Sequence, residues 1–504
     1  MSASHDVLLG IDVGTSSVKV VAITTSGTVL GDHSVAYETT TPRPGWAEQD
    51  ATVWWRAIGE ATRALLARVE ERGPSTVVGI GLSGQMHTFV LLDDDDRPLR
   101  PAITWMDTRG EGLLEDARRR VAEADLAQQL ANPVVLGLTL LPLTWLAAHE
   151  PNVLARAATL LLAKDYVRMR LTGEKGSEPT DASATLLFDV AARAWSDATV
   201  AAFGLPRGML PTLGESATIA GTLRDEAAEH LGLRPGIPVA FGAGDQQAAA
   251  VGMGSVRAGQ VQLTVGTGAQ VLAVHDRVVA DVSGRLHAFC HVRGWITQAS
   301  VNNAGSALAW VCNLLGVGWN DVYAGLGRGV GGPVFVPYLT GERTPLMKGH
   351  ARGAWIGLSS EHTSSDLARA AGEGVVAAIA EAIGTVVETR TWRGALRVAG
   401  GGMRHATFAQ ALADASGLPI EVRETHEASG VGAALLAGVA VGAFGGLDEA
   451  AALAPERIAA EYQPDPAQHE GWAARRATLR ELDAIGFHEV AERTRSDRRV
   501  RTIR

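Results

Sequence analysis

Cysteine and lysine are both scarce in this chain of 504 residues. The cysteines are Cys290 and Cys312 alone, which excludes a disulfide scaffold and a cysteine-rich zinc or iron–sulfur site. We expect both thiols to be reduced and buried, as in a cytoplasmic protein. None of the four lysines follows a glycine, so the sequence has no Walker A phosphate loop.

Positive charge is also in deficit, because 45 Lys and Arg face 55 Asp and Glu, for a net charge of −10. Such a balance disfavours nucleic acid and anionic membranes as partners. The arginine-rich end, residues 486–504, is interpreted as a solvated basic tail. The uncharged run 428–447 has the length of a membrane span but contains six glycines, so we predict a helix packed inside the protein. No basic residue precedes Lys19, and we predict no signal peptide.

What the sequence does contain is a repeat of strand and turn. Residues 12–15, Asp-Val-Gly-Thr, end one apolar run and precede another, and residues 264–267, Thr-Val-Gly-Thr, do the same half a chain later. A chain of this length exceeds one hydrophobic core, so the repeat predicts a duplicated α/β architecture with a cleft between two halves. The turn-rich residues 235–238 are the clearest predicted linker.

Three glycine-rich turns are candidates for binding phosphate. They are residues 12–17, residues 264–268 and residues 399–403, and the last precedes a helical pattern. Turn N–H groups and hydroxyls can face phosphate oxygens, and glycine lets the backbone approach closely. A plain hairpin turn or a tight strand–helix connection explains each turn taken singly, but three together favour a nucleotide site.

Two further segments carry side chains suited to chemistry. Asp245 follows an apolar strand and a glycine turn, so it could accept a proton from an attacking hydroxyl, or simply cap the helix that follows. Gln85, Met86 and His87 lie between two predicted strands and could recognise a sugar, although a partly buried histidine is the commoner meaning. The preceding Gly-x-Gly-x-x-Gly, residues 79–84, leads into a strand instead of a helix and is rejected as a dinucleotide motif.

Taken in order, these segments resemble the FGGY family of carbohydrate kinases, nearest to its xylulokinase branch. The matching segments are residues 10–16, 45–50, 54–55, 84–87, 105–109, 164–166, 171–174, 338–345 and 400–402. The resemblance implies a duplicated ribonuclease H-like fold of the actin, Hsp70 and hexokinase type. It implies a mainly sugar-binding domain over 1–246 and a mainly ATP-binding domain over 247–485.

The resemblance also implies ATP and Mg²⁺ as cofactors and phosphorylation of a terminal hydroxyl of a ketopentose, with D-xylulose the expected substrate. It makes Asp245 the base and gives Asp12 and Asp245 to Mg²⁺, directly or through water. The implied sugar-binding residues are Gln85, Met86, His87, Trp105, Asp245 and Gln246. The implied ATP-binding residues are Gly14, Thr15, Ser16, Gly266, Thr267, Gly268, Gly401 and Gly402. A homodimer is a family-level expectation.

Alternatives remain open at this point. Gln246 stands where xylulokinases usually have asparagine, so another polyol or sugar, such as ribulose, xylitol, erythritol or gluconate, is a second hypothesis. An ATP-binding conformational regulator on the same fold is a third. Pro142 and Gly372 also depart from the family pattern and are interpreted as differences in the scaffold.

Overall fold

Two mixed sheets of seven strands organise the chain. The computed structural model describes residues 5–281, 283–389, 394–424, 427–454 and 458–487. The arginine-rich tail predicted at the carboxyl end lies outside the described residues from residue 488 onward.

The strands of the described residues alternate between long central ones and short edge or loop pairs. They are β1 (His5–Val13), β2 (Ser17–Thr24), β3 (Val29–Ala36), β4 (Glu48–Gln49), β5 (Ser75–Gly84), β6 (Phe89–Leu92), β7 (Ala102–Ile103), β8 (Thr159–Leu162), β9 (Phe188–Asp189), β10 (Ala194–Trp195), β11 (Ile219–Thr222), β12 (Pro238–Ala240), β13 (Ala243–Gly244), β14 (Val261–Val265), β15 (Ala269–His275), β16 (His287–Cys290), β17 (Trp295–Val301), β18 (Val334–Val336), β19 (Ala354–Ile356), β20 (Leu396–Ala399), β21 (Ile420–Arg423) and β22 (Ile458–Tyr462).

The helices pack on the faces of the two large sheets or between them. They are α1 (Ala51–Glu70), α2 (Leu114–Glu123), α3 (Ala127–Leu130), α4 (Leu140–His149), α5 (Pro151–Ala155), α6 (Ala163–Thr172), α7 (Pro179–Ala182), α8 (Asp197–Ala202), α9 (Asp225–Leu231), α10 (Asp245–Gly252), α11 (Gly305–Leu315), α12 (Trp319–Leu326), α13 (Ser364–Val387), α14 (Ala406–Ser416), α15 (Ala428–Ala440), α16 (Leu447–Ala452) and α17 (Pro466–Ala484).

The two sheets repeat one topology, which confirms the predicted duplication. In the first sheet β1 pairs antiparallel with β2 and parallel with β5, and β2 pairs antiparallel with β3. In the second, β14 pairs antiparallel with β15 and parallel with β20, and β15 pairs antiparallel with β17. Strands β1 and β14 therefore hold equivalent places, and each ends at the glycine turn that suggested the repeat.

The linker predicted at residues 235–238 is wrong. Pro238 begins β12, whose Val239 pairs in parallel with Ile80 of β5 inside the first sheet. The turn at Gly236 has φ of 82° and only reverses the chain between α9 and β12. Proline is tolerated there because it is the first residue of its strand, where a missing N–H costs no interior ladder bond.

The glycine-rich helix α15 is buried inside the protein, as the composition predicted. It packs on β1 and β5 of the first sheet and on α10. A Cβ added to Gly10 would come 1.8 Å from the carbonyl oxygen of Gly430, and one added to Gly81 would come 1.9 Å from that of Ala433. The small residues thus let helix and sheet backbones touch, and the helix ends at Ala440, short of a span.

Pro142 and Gly372, the two scaffold positions that depart from the family pattern, both have local explanations. Pro142 is the third residue of α4, in the first turn, where its missing N–H has no acceptor within the helix. Gly372 lies in α13, where an added Cβ would come 3.1 Å from side-chain atoms of Leu326 and Val322. Glycine there allows α12 to pack closely on α13.

Helix α13 is the central helix of the second core. Among the described residues it is the one helix long and apolar enough to cross a membrane, and 89% of its apolar window is buried inside the protein. The two cysteines are free and buried, as expected.

Candidate active site

Two carboxylates meet at one edge of the first sheet. Asp12 is the last residue but one of β1 and lies beside Ser83 of β5. Gly244 of β13 pairs with Gly84 of β5, which in turn pairs with Val13. Three parallel strands therefore end side by side, and the residue after Gly244 is Asp245.

Asp245 is the first residue of α10. Gly244 takes the N-cap position without a side-chain bond, so the alternative that Asp245 caps this helix is wrong. The N–H of Gly244 donates to Oγ1 of Thr180 at 2.9 Å, and the hydroxyl of Ser429 donates to the carbonyl of Asp245 at 3.1 Å. The backbone that carries the carboxylate is thus held from two sides.

Burial, and after it the charge of Asp12, raises the pKa of Asp245 to about 7, against a smaller opposing effect of Gln246. The pKa of Asp12 is also raised, first by burial and against a hydrogen bond from the hydroxyl of Ser83. A carboxylate with a pKa near neutrality is suited to accept a proton at physiological pH. The two carboxylates, Asp12 buried and Asp245 partly buried, also provide oxygen ligands of the type that Mg²⁺ prefers.

Met86 and His87 lie beside this edge. Met86 is buried and packs with Leu272 and Phe289 of the second half. His87 has φ of 68° and its Nδ1 lies 2.7 Å from the carbonyl oxygen of Ala184, so Nδ1 carries the proton and donates. Burial lowers the pKa of His87 to about 4, and the neutral ring keeps Nε2 as an acceptor.

The side chain of Trp105 contacts the glycine turn that follows β1. Its Nε1 donates to Oγ1 of Thr15 at 2.9 Å, and the indole is 36% exposed. The N–H of Gly14 donates to the carbonyl of Ser17 at 3.0 Å, which closes the turn and leaves Ser16 exposed.

Gln85 does not have the surface expected of a sugar-binding residue. Its side chain is 1% exposed, its amide donates to Oε1 of Gln49 at 2.9 Å, and its carbonyl accepts from Thr88 at 3.1 Å. Gln85 therefore holds the loop from within, and its direct contact with a sugar stays a prediction. Gln246, also expected at the sugar, is only partly buried.

A cavity of about 600 Å³ lies on the second half. Four residues predicted for ATP line it, namely Gly266, Thr267, Gly401 and Gly402. Gly400, with φ of 111°, would place a Cβ 2.1 Å from the carbonyl oxygen of Val265, so glycine is required where the two turns meet. The volume is within the usual range for a ligand pocket.

Gly268 shapes its turn without lining this cavity. Its carbonyl accepts from the N–H of Gly266 at 2.8 Å, and a Cβ would come 2.6 Å from the carbonyl oxygen of Val301. Within the described part of the chain the N–H groups of Thr267 and Gly268 have no backbone acceptor, so they are available to phosphate oxygens.

Sequence reasoning missed the aromatic wall of the cavity. Trp319 and Tyr323 of α12 line it with ring centroids 5.9 Å apart, and Tyr323 stacks on His405 at 4.3 Å. Such rings offer a flat face to a purine base. No sequence signal separates them from ordinary residues of an amphipathic helix.

The fold and this site define a kinase of small carbohydrates, and comparison with known proteins agrees. The model of the FGGY family of carbohydrate kinases, N-terminal domain, matches residues 7–252, and that of the C-terminal domain matches residues 261–441. The chain belongs to the FGGY family of carbohydrate kinases. It is an ATP-dependent sugar kinase.

Individual relatives agree over nearly their full length. A xylulose kinase from Klebsiella pneumoniae is 36% identical over 476 residues, 93% of this chain and 96% of the relative. One from Escherichia coli K12 is 35% identical, over 94% and 98%. A crystal structure of a "xyloylose kinase" from Brucella ovis has a TM-score of 0.88 and 34% identity, covering 96% of this chain and 100% of the other.

Proposed function

We propose that this kinase transfers the γ-phosphoryl group of ATP to the terminal hydroxyl of D-xylulose. The observation that carries the proposal is Asp245, held at the sheet edge beside Asp12 with its pKa raised to about 7. The xylulose kinases among the relatives support the choice of sugar.

Asp245 acts as the base. It accepts the proton of the sugar hydroxyl as that oxygen attacks the phosphorus, and the bond from phosphorus to the leaving oxygen of ADP breaks. Most of the catalysis comes from positioning and from stabilisation of charge on the phosphoryl oxygens. Met86 offers an apolar surface to the carbon chain, and Nε2 of His87 accepts a hydrogen bond from a sugar hydroxyl.

ATP is placed along the cavity, with its base against Trp319 and Tyr323 and its phosphates toward the glycine turns. Mg²⁺ would be held by Asp12 and Asp245, directly or through water, together with the phosphates, and would neutralise charge there. Among the described residues no group of three or more His, Cys, Asp or Glu could hold a metal. Mg²⁺ is commonly bound through one or two carboxylates together with substrate phosphates.

The proposal also includes a division into domains at residues 1–246 and 247–485, a cytoplasmic location and a homodimer. Expression of the two segments separately, cell fractionation and sedimentation test these points in turn.

The test is release of ADP with Mg²⁺ and ATP over a panel of D-xylulose, L-xylulose, D-ribulose, xylitol, erythritol, glycerol and gluconate. We expect D-xylulose to have the highest kcat/KM. Turnover of a different sugar would assign this site to that sugar and make Gln246 the first residue to exchange. ATP binding without any sugar-dependent turnover would contradict the proposal and favour the conformational regulator.

Asp245→Asn is the matching variant, and Asp225→Asn is its control. Asp225 also begins a helix, α9, but is exposed on the surface. The change at Asp245 should lower kcat by about 100-fold or more, the usual contribution of general base catalysis, whereas the control should keep full turnover.

A further inference from the structure

The guanidinium of Arg343 has no acceptor in the part of the chain that the structure describes. The backbone N–H of Arg343 donates to Oε1 of Glu342 at 2.8 Å, but no side-chain bond accompanies it. Glu342 is already engaged, because Asn302 N–H and Asn303 Nδ2 donate to its two oxygens at 2.6 and 3.2 Å. Arg343 is half-buried, so its unpaired guanidinium can be reached by a ligand.

The backbone around Arg343 is fixed on the second half. The N–H of Thr344 donates to the carbonyl of Ser300 on β17 at 2.9 Å, and its hydroxyl donates to the carbonyl of Arg285 at 2.7 Å. The carbonyl of Arg343 accepts from the N–H of Met347. The side chain therefore projects from a rigid base.

That side chain reaches the first half of the molecule. Nη2 of Arg343 lies 3.3 Å from the position that a Cβ on Gly137 would occupy, and the carbonyl oxygen of Trp105 lies 2.7 Å from the same position. Gly137 has φ of 89° and leads to Thr139, whose hydroxyl donates to the carbonyl of His87 at 2.9 Å. Arg343 thus faces the loop that supports both proposed sugar-binding side chains, Trp105 and His87.

The charge of Arg343 acts on two histidines. It lowers the pKa of His87 and of His287, in both cases after the larger effect of burial. The positive charge of Arg343 therefore favours the neutral form of both imidazoles.

We propose that Arg343 binds oxygen atoms of the sugar, reaching across the cleft from the second half of the chain. This inference rests on the proposed sugar kinase site and adds a ligand to it. The planar fork of a guanidinium can donate to two neighbouring oxygens at once, such as a carbonyl and the adjacent hydroxyl of an open-chain ketose. Bound sugar would then contact both halves of the molecule.

The experiment measures KM for sugar and for ATP in Arg343→Gln and Arg343→Lys, on whichever sugar the wild type turns over best. For Arg343→Gln we expect KM for the sugar to rise about 10-fold or more, the usual loss for a charged hydrogen bond, with KM for ATP nearly unchanged. Lys should recover part of the loss. Calorimetry of sugar binding without ATP should show affinity falling in the same order, from wild type to Arg343→Lys to Arg343→Gln.

Arg352→Gln is the matched control, because that guanidinium donates to the backbone carbonyls of Gly349 and Ala351 in the same loop. It should leave both KM values unchanged. Millimolar guanidinium chloride should lower the sugar KM of Arg343→Ala, an effect that a purely structural role would not produce. If the Arg343→Gln variant does not fold, the Arg343→Lys variant and the rescue by guanidinium chloride still test the inference.

Unchanged sugar KM in a folded Arg343→Gln, or equal losses for sugar and ATP, would overturn the inference while leaving the kinase assignment intact. If the wild type turns over another sugar, only the proposal that D-xylulose is the substrate would be contradicted. A wild type that neither binds nor turns over any sugar of the panel would overturn both.

Discussion

At the scale of single residues, the proposed base Asp245 is held in place at the expense of stability. A carboxylate whose pKa is raised on folding binds a proton more tightly in the folded state than in the unfolded one. For Asp245 the pKa rises from 3.8 to about 7. Its contribution therefore favours folding at low pH, declines as the pH rises from about 4 to 7, and is a constant penalty above that.

We predict that Asp245→Asn, besides losing turnover, melts at a higher temperature than the wild type at pH 8. The amide is uncharged, so the burial cost of the carboxylate and its repulsion from Asp12 disappear. A tenfold difference in proton affinity between the folded and unfolded states corresponds to about 1.4 kcal/mol. The gain should shrink steadily towards pH 5, where the wild-type carboxyl is protonated. Thermal melts of metal-free protein at both pH values check this.

Asp225→Asn again serves as the reference, since its exposed carboxylate should give the same small change at both pH values. A lower melting temperature for Asp245→Asn at pH 8 would show that the carboxylate stabilises its surroundings and would contradict the assigned pKa.

At the scale of elements, the seam between α15 and its neighbours, where their backbones touch, depends on glycine residues, which have no side chain. A Cβ on Gly432 would come 1.8 Å from the carbonyl oxygen of Ala248 in α10, a distance that only a backbone shift can relieve. Because α10 begins at Asp245, such a shift would be transmitted to the base. The seam therefore links packing between the halves to the geometry of the site.

We predict that Gly432→Ala lowers the melting temperature and the turnover together. Helix propensity alone favours Ala over Gly by about 1 kcal/mol, so a purely local effect would stabilise the protein. Overpacking of a close helix contact typically costs about 1–3 kcal/mol and reverses that sign. Melting curves and kcat/KM measure both effects.

Gly112→Ala is the control, since a Cβ there meets nothing within 4 Å. It should leave melting temperature and activity near those of the wild type. A stabilised, fully active Gly432→Ala protein would mean that α10 and α15 can separate without consequence.

The repeat, the interior helix and the glycine turns could be predicted because each rests on local sequence. Each glycine turn alone has several explanations, but three of them at the ends of apolar runs direct attention to Gly266 and Gly401 from sequence alone. The true role of residues 235–238 could not be found this way, because turn residues look the same inside a sheet and between domains. Only the pairing of Val239 with Ile80 shows that this segment lies inside the first sheet.

Residues of the site that act through tertiary contacts escape prediction for a related reason. The sequence does not show that the side-chain amide of Gln85 is hydrogen-bonded to Gln49 and Thr88. Trp319 and Tyr323 carry no motif. Arg343 lies within a matching segment, yet its importance depends on the absence of a partner, which spacing along a chain cannot reveal.

At the scale of the whole molecule, the two proposed substrates lie on different halves. The cavity assigned to ATP is lined by residues of the second half, whereas Asp12, His87 and Trp105 belong to the first. Transfer requires the terminal phosphate to meet the sugar hydroxyl with water excluded, because ATP would otherwise be hydrolysed. We therefore expect the halves to move closer together when both ligands bind.

We predict that D-xylulose together with a non-hydrolysable ATP analogue and Mg²⁺ reduces the radius of gyration measured by small-angle X-ray scattering. Either ligand alone should produce a smaller change, because each bridges the cleft incompletely. Arg343→Gln, which removes a proposed contact between sugar and the second half, should show a weaker compaction at saturating sugar than Arg352→Gln. An unchanged radius with both ligands shown by calorimetry to be bound would mean that the cleft is already closed, and that sugar recognition is not coupled to movement of the halves.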